Sequence, residues 1–449
     1  RDRFGSAVRQ SMTEAEQMAG DGKEIGNPRF TVVIPTKDRA EYLRQTLRTC
    51  SAQDYDNLVV IVSDDGSTDH TMDVVLDASR QDPRIRYMKN GMSPGMRDNF
   101  EFALNQAEPG FVMALGGDDG LMPGGVAGMR DVLRDTGLEL LSWASPLYTY
   151  PGVRGPDGQL MLYHPKKDKI VESRDFLARQ VSHLNYLGDI ESPMSYVKGI
   201  ASTRLVKQVQ SRSKEGRFYT CPTPDGYSGI VLAGEVDRYA FSGTPFAIYG
   251  LSPTSQGLNY LANDEAAKEH SVSFFKSVDS VPMHDQLANQ PYSPLITLMT
   301  VDYLLTVKEL PGWGGVVPPI DFKRVIDKAI CELAHGLYGE KRLLREMEIL
   351  RTIAVHHGLG EHFDALVAST RRKKEKAPFM GSGINSWAIF LDATHYRVNN
   401  IFEASYAASF LGRFYADLMP RNMIGIVKRS VAYFLTTSGN GSHFPRLGQ

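Results

Sequence analysis

The sequence has few cysteines and no long apolar run, and both shortages narrow the class of protein. Its three cysteines, Cys50, Cys221 and Cys331, are scattered over 449 residues, and this odd, irregular set predicts neither a disulfide framework nor a zinc site. No apolar stretch reaches the roughly 18–20 residues that cross a bilayer, and the first residues show no signal-peptide pattern. We therefore expect a cytoplasmic protein that is not integral to a membrane.

The sequence also has almost no excess of charge of one sign. The formal net charge is −2, so nothing global attracts nucleic acid, and we expect no nucleic-acid partner. The length allows about two or three domains. We place a helical or flexible lead-in at 1–28, the main domain at 29–260 and a mainly α-helical C-terminal domain at 265–449.

Short apolar runs, separated by amphipathic segments, predict an α/β fold. The runs read RFTVVI, NLVVIV, GFVMAL and LELLSW and are nearly continuous, as strands buried on both faces are. Between the first two, Leu43, Leu47 and Cys50 recur at helical spacing. This alternation predicts a mostly parallel sheet flanked by helices, and ligands bind such sheets beyond the carboxyl ends of the strands. Further along, RYAFSGTPFAIYG predicts a hairpin.

Polar segments follow these strands. They read PTKDR, SDDGSTD, GMSPGMRDN and GGDDG in chain order. The neighbouring carboxylates of Asp118 and Asp119 repel each other, so we expect a cation or hydrogen-bond donors beside them. Gly116 and Gly117 would let a ligand approach the backbone without a Cβ in the way.

The four segments, in this order, resemble the family 2 glycosyltransferases of the GT-A fold. The resemblance is clear over residues 29 to about 130 and extends weakly to about 255. It implies a GT-A nucleotide-diphospho-sugar transferase fold, with a nucleotide-binding half at 29–130 and an acceptor half at 131–260. It also implies an inverting enzyme that moves a sugar from a nucleotide-sugar, with a UDP-sugar favoured, to a hydroxyl of a saccharide or lipid-linked acceptor.

The resemblance assigns roles to individual residues. Asp65 matches the carboxylate that accepts a hydrogen bond from the uracil imide, Asp118 a ribose contact, and Asp119 the ligand of the Mn²⁺ or Mg²⁺ that bridges the diphosphate. The other residues matched to the nucleotide-sugar are Pro35, Thr36, Arg39 and Arg97. The family often has Asp-x-Asp-Asp at the metal motif, and Gly116 stands where its first Asp would be.

An inverting transferase also needs a general base for the acceptor hydroxyl. Family members carry it at the start of a helix, roughly 90–110 residues past the metal motif, and Asp225 in CPTPDGYSGI meets that description. Glu235 and Asp237 are its competitors. Trp143 is either an acceptor-stacking residue or part of the core.

Two questions stay open at this level. The missing first acid leaves room for a catalytically inactive scaffold that binds a nucleotide-sugar or glycan. The basic run RRKKEK at 371–376 precedes an aromatic, amphipathic C-terminal region. That region is either domain core, a peripheral contact with the inner face of the membrane, or a homo-oligomer interface.

Overall fold

A computed structural model of the chain describes residues 26–91, 95–153, 155–255, 281–335, 338–370 and 381–418. Three parts of the chain lie outside these ranges: the lead-in up to residue 25, the basic run at 371–376, and residues 423–435 of the aromatic, amphipathic C-terminal region. The predictions made for them lie outside the described residues too. Among the described helices, none is both long enough and apolar enough to cross a membrane.

The larger sheet carries eight of the described strands. They are β1 (Phe30–Thr36), β2 (Leu58–Asp64), β3 (Ile85–Lys89), β4 (Phe111–Ala114), β6 (Leu140–Trp143), β9 (Lys169–Glu172), β10 (Gly199–Ser202) and β11 (Arg238–Ser242). Their spatial order is β3-β2-β1-β4-β10-β6-β11-β9. Only β10 and β9 run against the other strands, so the sheet is mostly parallel, as predicted.

A smaller sheet lies beside the carboxyl end of β4. Its described strands are β5 (Gly120–Leu121), β7 (Leu147–Thr149), β8 (Gln159–Tyr163), β12 (Ala247–Leu251), β13 (Gly383–Ile384) and β14 (Ala388–Asp392). They are ordered β13-β14-β8-β7-β12-β5. The C-terminal region is mainly helical, but its β13–β14 hairpin extends this sheet by pairing with β8.

The described α-helices flank both sheets and form most of the C-terminal region. They are α1 (Ala40–Ser51), α2 (Thr71–Gln81), α3 (Met96–Leu104), α4 (Gly125–Thr136), α5 (Ser173–His183), α6 (Thr203–Arg212), α7 (Pro224–Ala233), α8 (Ile296–Lys308), α9 (Phe322–His335), α10 (Glu340–His356), α11 (Gly360–Ser369) and α12 (Ile401–Leu418).

Two apolar cores sandwich the larger sheet. Successive residues of a strand point to opposite faces, so Val32 and Ile34 of β1 pack towards α1, α2 and α4, whereas Val33 packs towards α3, α6 and α7. On α1, Leu43 and Leu47 face the sheet at the predicted helical spacing. This three-layer packing leaves the carboxyl edge of the sheet for polar residues.

The C-terminal helices are attached to this domain through α8. Nearly every side chain of α8 is buried, as expected for a helix that is apolar all round. On one side it packs against α7, and on the other it joins a third core with α9, α10 and α11. A fourth core lies between the smaller sheet and α12, which also contacts α1.

The predicted hairpin at 238–250 is wrong. Both strands form, but β11 pairs with β6 and β9 in the larger sheet, whereas β12 pairs with β7 and β5 in the smaller one. Local alternation predicts strands well, but it cannot say which partners lie beside them.

The β13–β14 hairpin should be an integral part of the domain. Leu391 of β14 is 7 % exposed and packs in the core beneath α12, so we expect Leu391→Ala to cost about 2–5 kcal/mol of stability. The matched control is Leu344→Ala on α10, whose side chain is 64 % exposed. Thermal unfolding of both variants tests this, and an unchanged midpoint for Leu391→Ala would contradict the docking of the hairpin.

Candidate active site

The residues predicted to bind the nucleoside lie together at the carboxyl ends of β1 and β2. Pro35 and Thr36 pair with Ser63 and Asp64 in parallel register, and the Asp65 N–H donates to the Thr36 carbonyl at 2.9 Å. The Thr36 hydroxyl is buried and has no hydrogen-bond partner in the described protein. An unsatisfied buried hydroxyl is costly, which fits a position reserved for a ligand.

The adjacent carboxylates Asp64 and Asp65 have different surroundings. Asp64 accepts hydrogen bonds from the Ser67 N–H at 2.8 Å and the Tyr87 hydroxyl at 2.7 Å, so its role is structural. Burial raises the pKa of Asp65. The Lys37 ammonium, 4.0 Å away, and a hydrogen bond from the Gly95 backbone lower it in part. Asp65 is therefore the carboxylate of this pair that lies towards the α3 N-terminus.

Helix α3 carries Arg97 at its first turn, beside this group. Asn99 fastens the helix to β2, since it accepts from the Ser63 hydroxyl at 2.6 Å and donates to the Ser63 carbonyl at 2.9 Å. Arg97 itself donates to Asp98 at 3.3 Å. The same helix holds the loop before α7, because Glu101 accepts the Phe218 and Tyr219 N–H groups.

Asp118 is held by residues from two distant parts of the chain. Its Oδ1 accepts from Arg39 at 3.2 Å, and its Oδ2 accepts from the hydroxyls of Ser252 at 2.6 Å and Ser255 at 2.8 Å. Arg39 also donates to the Thr254 carbonyl at 2.9 Å. Arg39, which the sequence predicts to bind the nucleotide-sugar, thus links the start of α1 to the turn after β12.

Asp119 is the more deeply buried of the two acids. Its Oδ2 accepts from the Gly116 N–H at 2.6 Å and its Oδ1 from the Gly250 N–H at 2.8 Å. Burial raises the pKa of Asp119 to about 7, with a further contribution from the charge of Asp118 and against hydrogen bonds from Gly250, Gly116 and Tyr196.

The charges at this turn fit a divalent cation. Asp118 and Asp119 together carry two negative charges when ionised, and Arg39 supplies one positive charge. Burial, and after it the charge of Asp118, raises the pKa of Asp119, and a bound cation would offset both effects. Mn²⁺ and Mg²⁺ prefer carboxylate oxygens and keep several waters, so one or two acids suffice to hold them.

Tyr196 occupies the space beside Gly116, where the family's motif would have an acid. A Cβ atom on Gly116 would lie 2.7 Å from the Tyr196 hydroxyl and 2.8 Å from Asp119 Oδ2. Tyr196 is held there by backbone pairing of residues 195–197 with Ala114 at the end of β4. The glycine therefore makes room for a tyrosine that hydrogen-bonds to Asp119.

Asp225 lies in the first turn of α7, directly after Pro224. Its Oδ2 accepts a 3.4 Å hydrogen bond from Tyr186, while its Oδ1 is buried without a partner in the described protein. Burial raises the pKa of Asp225, against backbone hydrogen bonds and the Tyr186 hydroxyl. A buried carboxyl group with a raised pKa and a free oxygen is equipped to accept a proton.

Tyr249 lies beside Tyr196: its hydroxyl donates to the Tyr196 carbonyl at 3.3 Å, and the two ring centroids are 6.1 Å apart. The pKa of Tyr249 is raised by burial and then by the charges of Asp225 and Asp119. The competitors of Asp225 lie elsewhere. Glu235 is paired with Arg212 at 2.8 Å, and Asp237 precedes β11, at the sheet edge opposite the carboxyl ends.

Sequence reasoning missed several of these residues. Tyr186, Tyr196, Tyr249, Ser252 and Ser255 carry no motif or spacing that would mark them. Trp143, one of whose two interpretations was acceptor stacking, is fully buried and packs edge-on against Phe246 at 5.3 Å. It belongs to the core.

A second group of potential metal ligands lies at the start of the C-terminal region. One ligand atom from each of His284, Asp285 and Glu309 lies within 4.8 Å of the others, beside a cavity of about 340 Å³. The His284 ring nitrogens contact the two carboxylates at 2.8 and 3.1 Å. These contacts account for the group without an ion.

The strands β1–β4 and the acidic turn at the carboxyl edge of the larger sheet lie in the part of the chain that is similar to known glycosyltransferases. Residues 31–176 match the model of Glycosyl transferase family 2. This matched segment, about a third of the chain, is similar to family 2 of the glycosyltransferases.

Curated relatives match the same part of the chain. The GalNAc(5)-diNAcBac-PP-undecaprenol beta-1,3-glucosyltransferase of Campylobacter jejuni is 36% identical over 101 residues, which are 22% of this chain and 33% of that protein. Glycosyltransferase GlyA of Streptococcus pneumoniae is 30% identical over 91 residues, 20% of this chain and 13% of that protein. The chain thus spans a third or less of each of these two relatives.

Among solved structures, the chain is similar to TarS 1-349 of S. aureus. The alignment covers 74% of this chain and 92% of the TarS chain, with 16% identity and a TM-score of 0.37. The mannosyltransferase PcManGT of Pyrobaculum calidifontis, in complex with GDP-Man and Mn2+, covers 82% and 95% at 16% identity and a TM-score of 0.35.

Gly116 should not tolerate a side chain while Tyr196 is present. We expect Gly116→Ala to lower stability by about 1–3 kcal/mol, because the new Cβ displaces Tyr196 or Asp119. Adding Tyr196→Phe removes the hydroxyl that the Cβ would meet 2.7 Å away, so the double variant should regain part of the loss. Denaturant unfolding of the two single variants and the double variant measures this coupling, and strictly additive effects would refute it.

Asp225 should destabilise the folded protein at neutral pH. Its folded pKa is raised, so the folded state binds the proton more tightly than the unfolded state, and the stability linked to it is lost as pH rises through the folded pKa. We expect Asp225→Asn to be more stable than the wild type at about pH 7, with a smaller difference near about pH 4. Thermal unfolding across this range, with exposed Asp175→Asn as control, checks the sign. A less stable Asp225→Asn at neutral pH would contradict it.

Proposed function

We propose that the chain is an inverting glycosyltransferase that moves a sugar from a UDP-sugar to a hydroxyl of a saccharide or lipid-linked acceptor. The observation that carries the proposal is the buried acidic turn of Asp118 and Asp119 at the carboxyl edge of the larger sheet, together with Asp225, whose Oδ1 finds no partner among the described residues. The charges of Asp225 and Asp119 both raise the pKa of Tyr249.

The nucleoside would bind at the ends of β1 and β2. The unpartnered Thr36 hydroxyl and the Asp65 carboxylate supply polar contacts there, and Asp65 would accept the imide N–H of uracil. Pro35 would line the bottom of this nucleoside site, and Arg97 would supply a positive charge at the first turn of α3. Arg39 lies beside Gly117, within reach of Asp118, where a diphosphate would also be attracted to it.

The acidic turn would hold the diphosphate end of the donor. We assign the metal to Asp119 and the ribose contact to Asp118. A Mn²⁺ or Mg²⁺ ion bound there supplies Lewis-acid stabilisation of the leaving diphosphate. Tyr196 and the Gly116 and Gly250 N–H groups keep the Asp119 carboxylate in place.

Asp225 would act as the general base. As the acceptor oxygen forms its bond to the anomeric carbon, its proton passes to Asp225 Oδ1. The bond from that carbon to the donor phosphate breaks on the opposite face, and its electron pair leaves with the nucleoside diphosphate. The raised pKa brings Asp225 closer to the operating pH, which favours proton transfer.

These roles assign donor binding and acceptor binding to different parts of the chain. We assign donor binding to 29–130 and acceptor binding to 131–260, with the helical region after 265 supporting the base, since Thr223 before α7 is hydrogen-bonded to Tyr303 of α8. The name of the C. jejuni relative specifies a lipid-linked substrate for that protein, which supports a lipid-linked acceptor as one form of the substrate here.

A panel of nucleotide-sugars with Mn²⁺ tests the proposal. We expect calorimetric binding of UDP-sugars and release of UDP on addition of acceptor. Asp225→Asn should bind the donor within about twofold of wild type but lose turnover by about 10²–10⁴-fold, whereas Asp119→Ala should lose the metal-dependent part of donor binding.

The outcomes separate the two functions that the site allows. Binding of UDP-sugars without turnover, for every acceptor supplied, would favour the nucleotide-sugar-binding scaffold. Near-normal turnover of Asp225→Asn would move the base to another residue, and unchanged nucleotide affinity of Asp119→Ala in Mn²⁺ would remove its metal role.

A further inference from the structure

One face of the smaller sheet carries a row of large side chains that begins at the proposed active site. Tyr249 of β12 lies opposite Leu147 of β7, Leu147 opposite Met161 of β8, and Met161 opposite Phe390 of β14. Directly opposed residues point to the same face of a sheet. The row therefore runs from Tyr249, whose hydroxyl donates to the carbonyl of Tyr196 at 3.3 Å, to the hairpin that the C-terminal region contributes.

The two faces of this sheet have different surroundings. The opposite face, with Tyr148, Leu160, Leu162 and Leu391, packs in the core under α12. On the face with the row, Met161 is 8 % exposed, whereas Tyr249, Leu147 and Phe390 are only half-buried. Tyr249 and Tyr163 pack against the core of the main domain while staying partly accessible, so this face leads from the proposed active site to the exposed hairpin.

Aromatic side chains dominate the outer end of this face. Trp387, at the tip of the β13–β14 hairpin, is 45 % exposed. Its ring lies 5.9 Å from that of Tyr163 and 5.5 Å from that of Phe390, measured between ring centroids. We call Tyr249, Phe390, Tyr163 and Trp387 the aromatic wall.

The backbone holds Trp387 in place. Its N–H donates to the Asn385 side chain at 2.9 Å, and its carbonyl accepts from the His164 N–H at 3.0 Å. The His164 ring contacts the Asn385 carbonyl at 2.7 Å. An exposed tryptophan anchored on both sides loses little conformational freedom when a ligand covers it, which favours binding.

Polar groups surround the aromatic wall. Asn385, Ser386, Lys166 and Lys167 are exposed at the same end of the sheet. Aromatic rings beside hydrogen-bonding groups match the chemistry of a pyranose, which has an apolar C–H face and a rim of hydroxyls.

We propose that the aromatic wall binds the saccharide portion of the acceptor, with sugar units stacked on Trp387 and Tyr163 and the reacting unit next to Tyr249 and Asp225. This inference rests on the proposed function, because it extends the acceptor side of the same cleft. It makes the C-terminal hairpin part of the substrate site, and Trp387 a determinant of acceptor affinity.

Trp387→Ala tests the proposal on the whole 449-residue chain. The probe is a printed array of defined bacterial and animal saccharides, followed by calorimetric titration of the strongest binders in the presence of UDP and Mn²⁺. We expect Trp387→Ala to weaken saccharide binding about tenfold, the loss of one stacking contact. UDP affinity should stay within about twofold of wild type, and Trp387→Phe should retain most saccharide binding.

The matched control is Phe410→Ala, which removes an aromatic side chain that is 56 % exposed on α12, the helix on the other face of the smaller sheet. We expect its saccharide affinity to match the wild type. Thermal unfolding of all three variants separates loss of binding from loss of fold.

Three results would overturn the proposal. They are unchanged saccharide affinity in Trp387→Ala, a wild-type protein that binds UDP but no saccharide of the array, and a Trp387-dependent affinity for lipid vesicles with none for saccharides. Failure of the wild type to bind UDP would instead count against the proposed function, so the two failures are distinguishable.

Discussion

The burial of two adjacent carboxylates at the end of β4 is the constraint on which the rest of this site depends. A buried charge is tolerated only when it is paired and hydrogen-bonded, and Asp118 and Asp119 find their partners in distant parts of the chain. Arg39 comes from the start of α1, and Gly250 and Ser252 from the end of β12. The two sheets must therefore meet at this turn before the acids can be accommodated.

This requirement ties the active site to the smaller sheet. A Cβ on Gly250 would lie 1.7 Å from the Asp118 carbonyl, so the backbones of β12 and the acidic turn touch. The same strand carries Tyr249 to Tyr196, and through β7 and β8 it reaches the C-terminal hairpin. The acidic turn and the outer surface of the domain are consequently parts of one packed structure.

The sequence was a good guide wherever the relevant contacts are local. Apolar runs predicted β1, β2, β4 and β6, and the strand-end segments placed Thr36, Asp65 and Asp118 at one edge of the larger sheet, where the structure has them. It failed for the supposed hairpin at 238–250 and did not anticipate β13 and β14. Strand pairing is decided by neighbours that alternation along one segment does not specify.

The sequence by itself determined which strands end in polar, chemically capable residues, because periodicity and turn composition act over a few neighbouring positions. Only the tertiary structure decided how those residues are used. It placed Tyr196 beside Gly116, left the Asp225 Oδ1 without a partner among the residues that the structure describes, and brought Ser252 to Asp118 across 134 positions. Contacts at such separations follow from the packing of whole sheets and helices, which leaves no fixed spacing in the sequence.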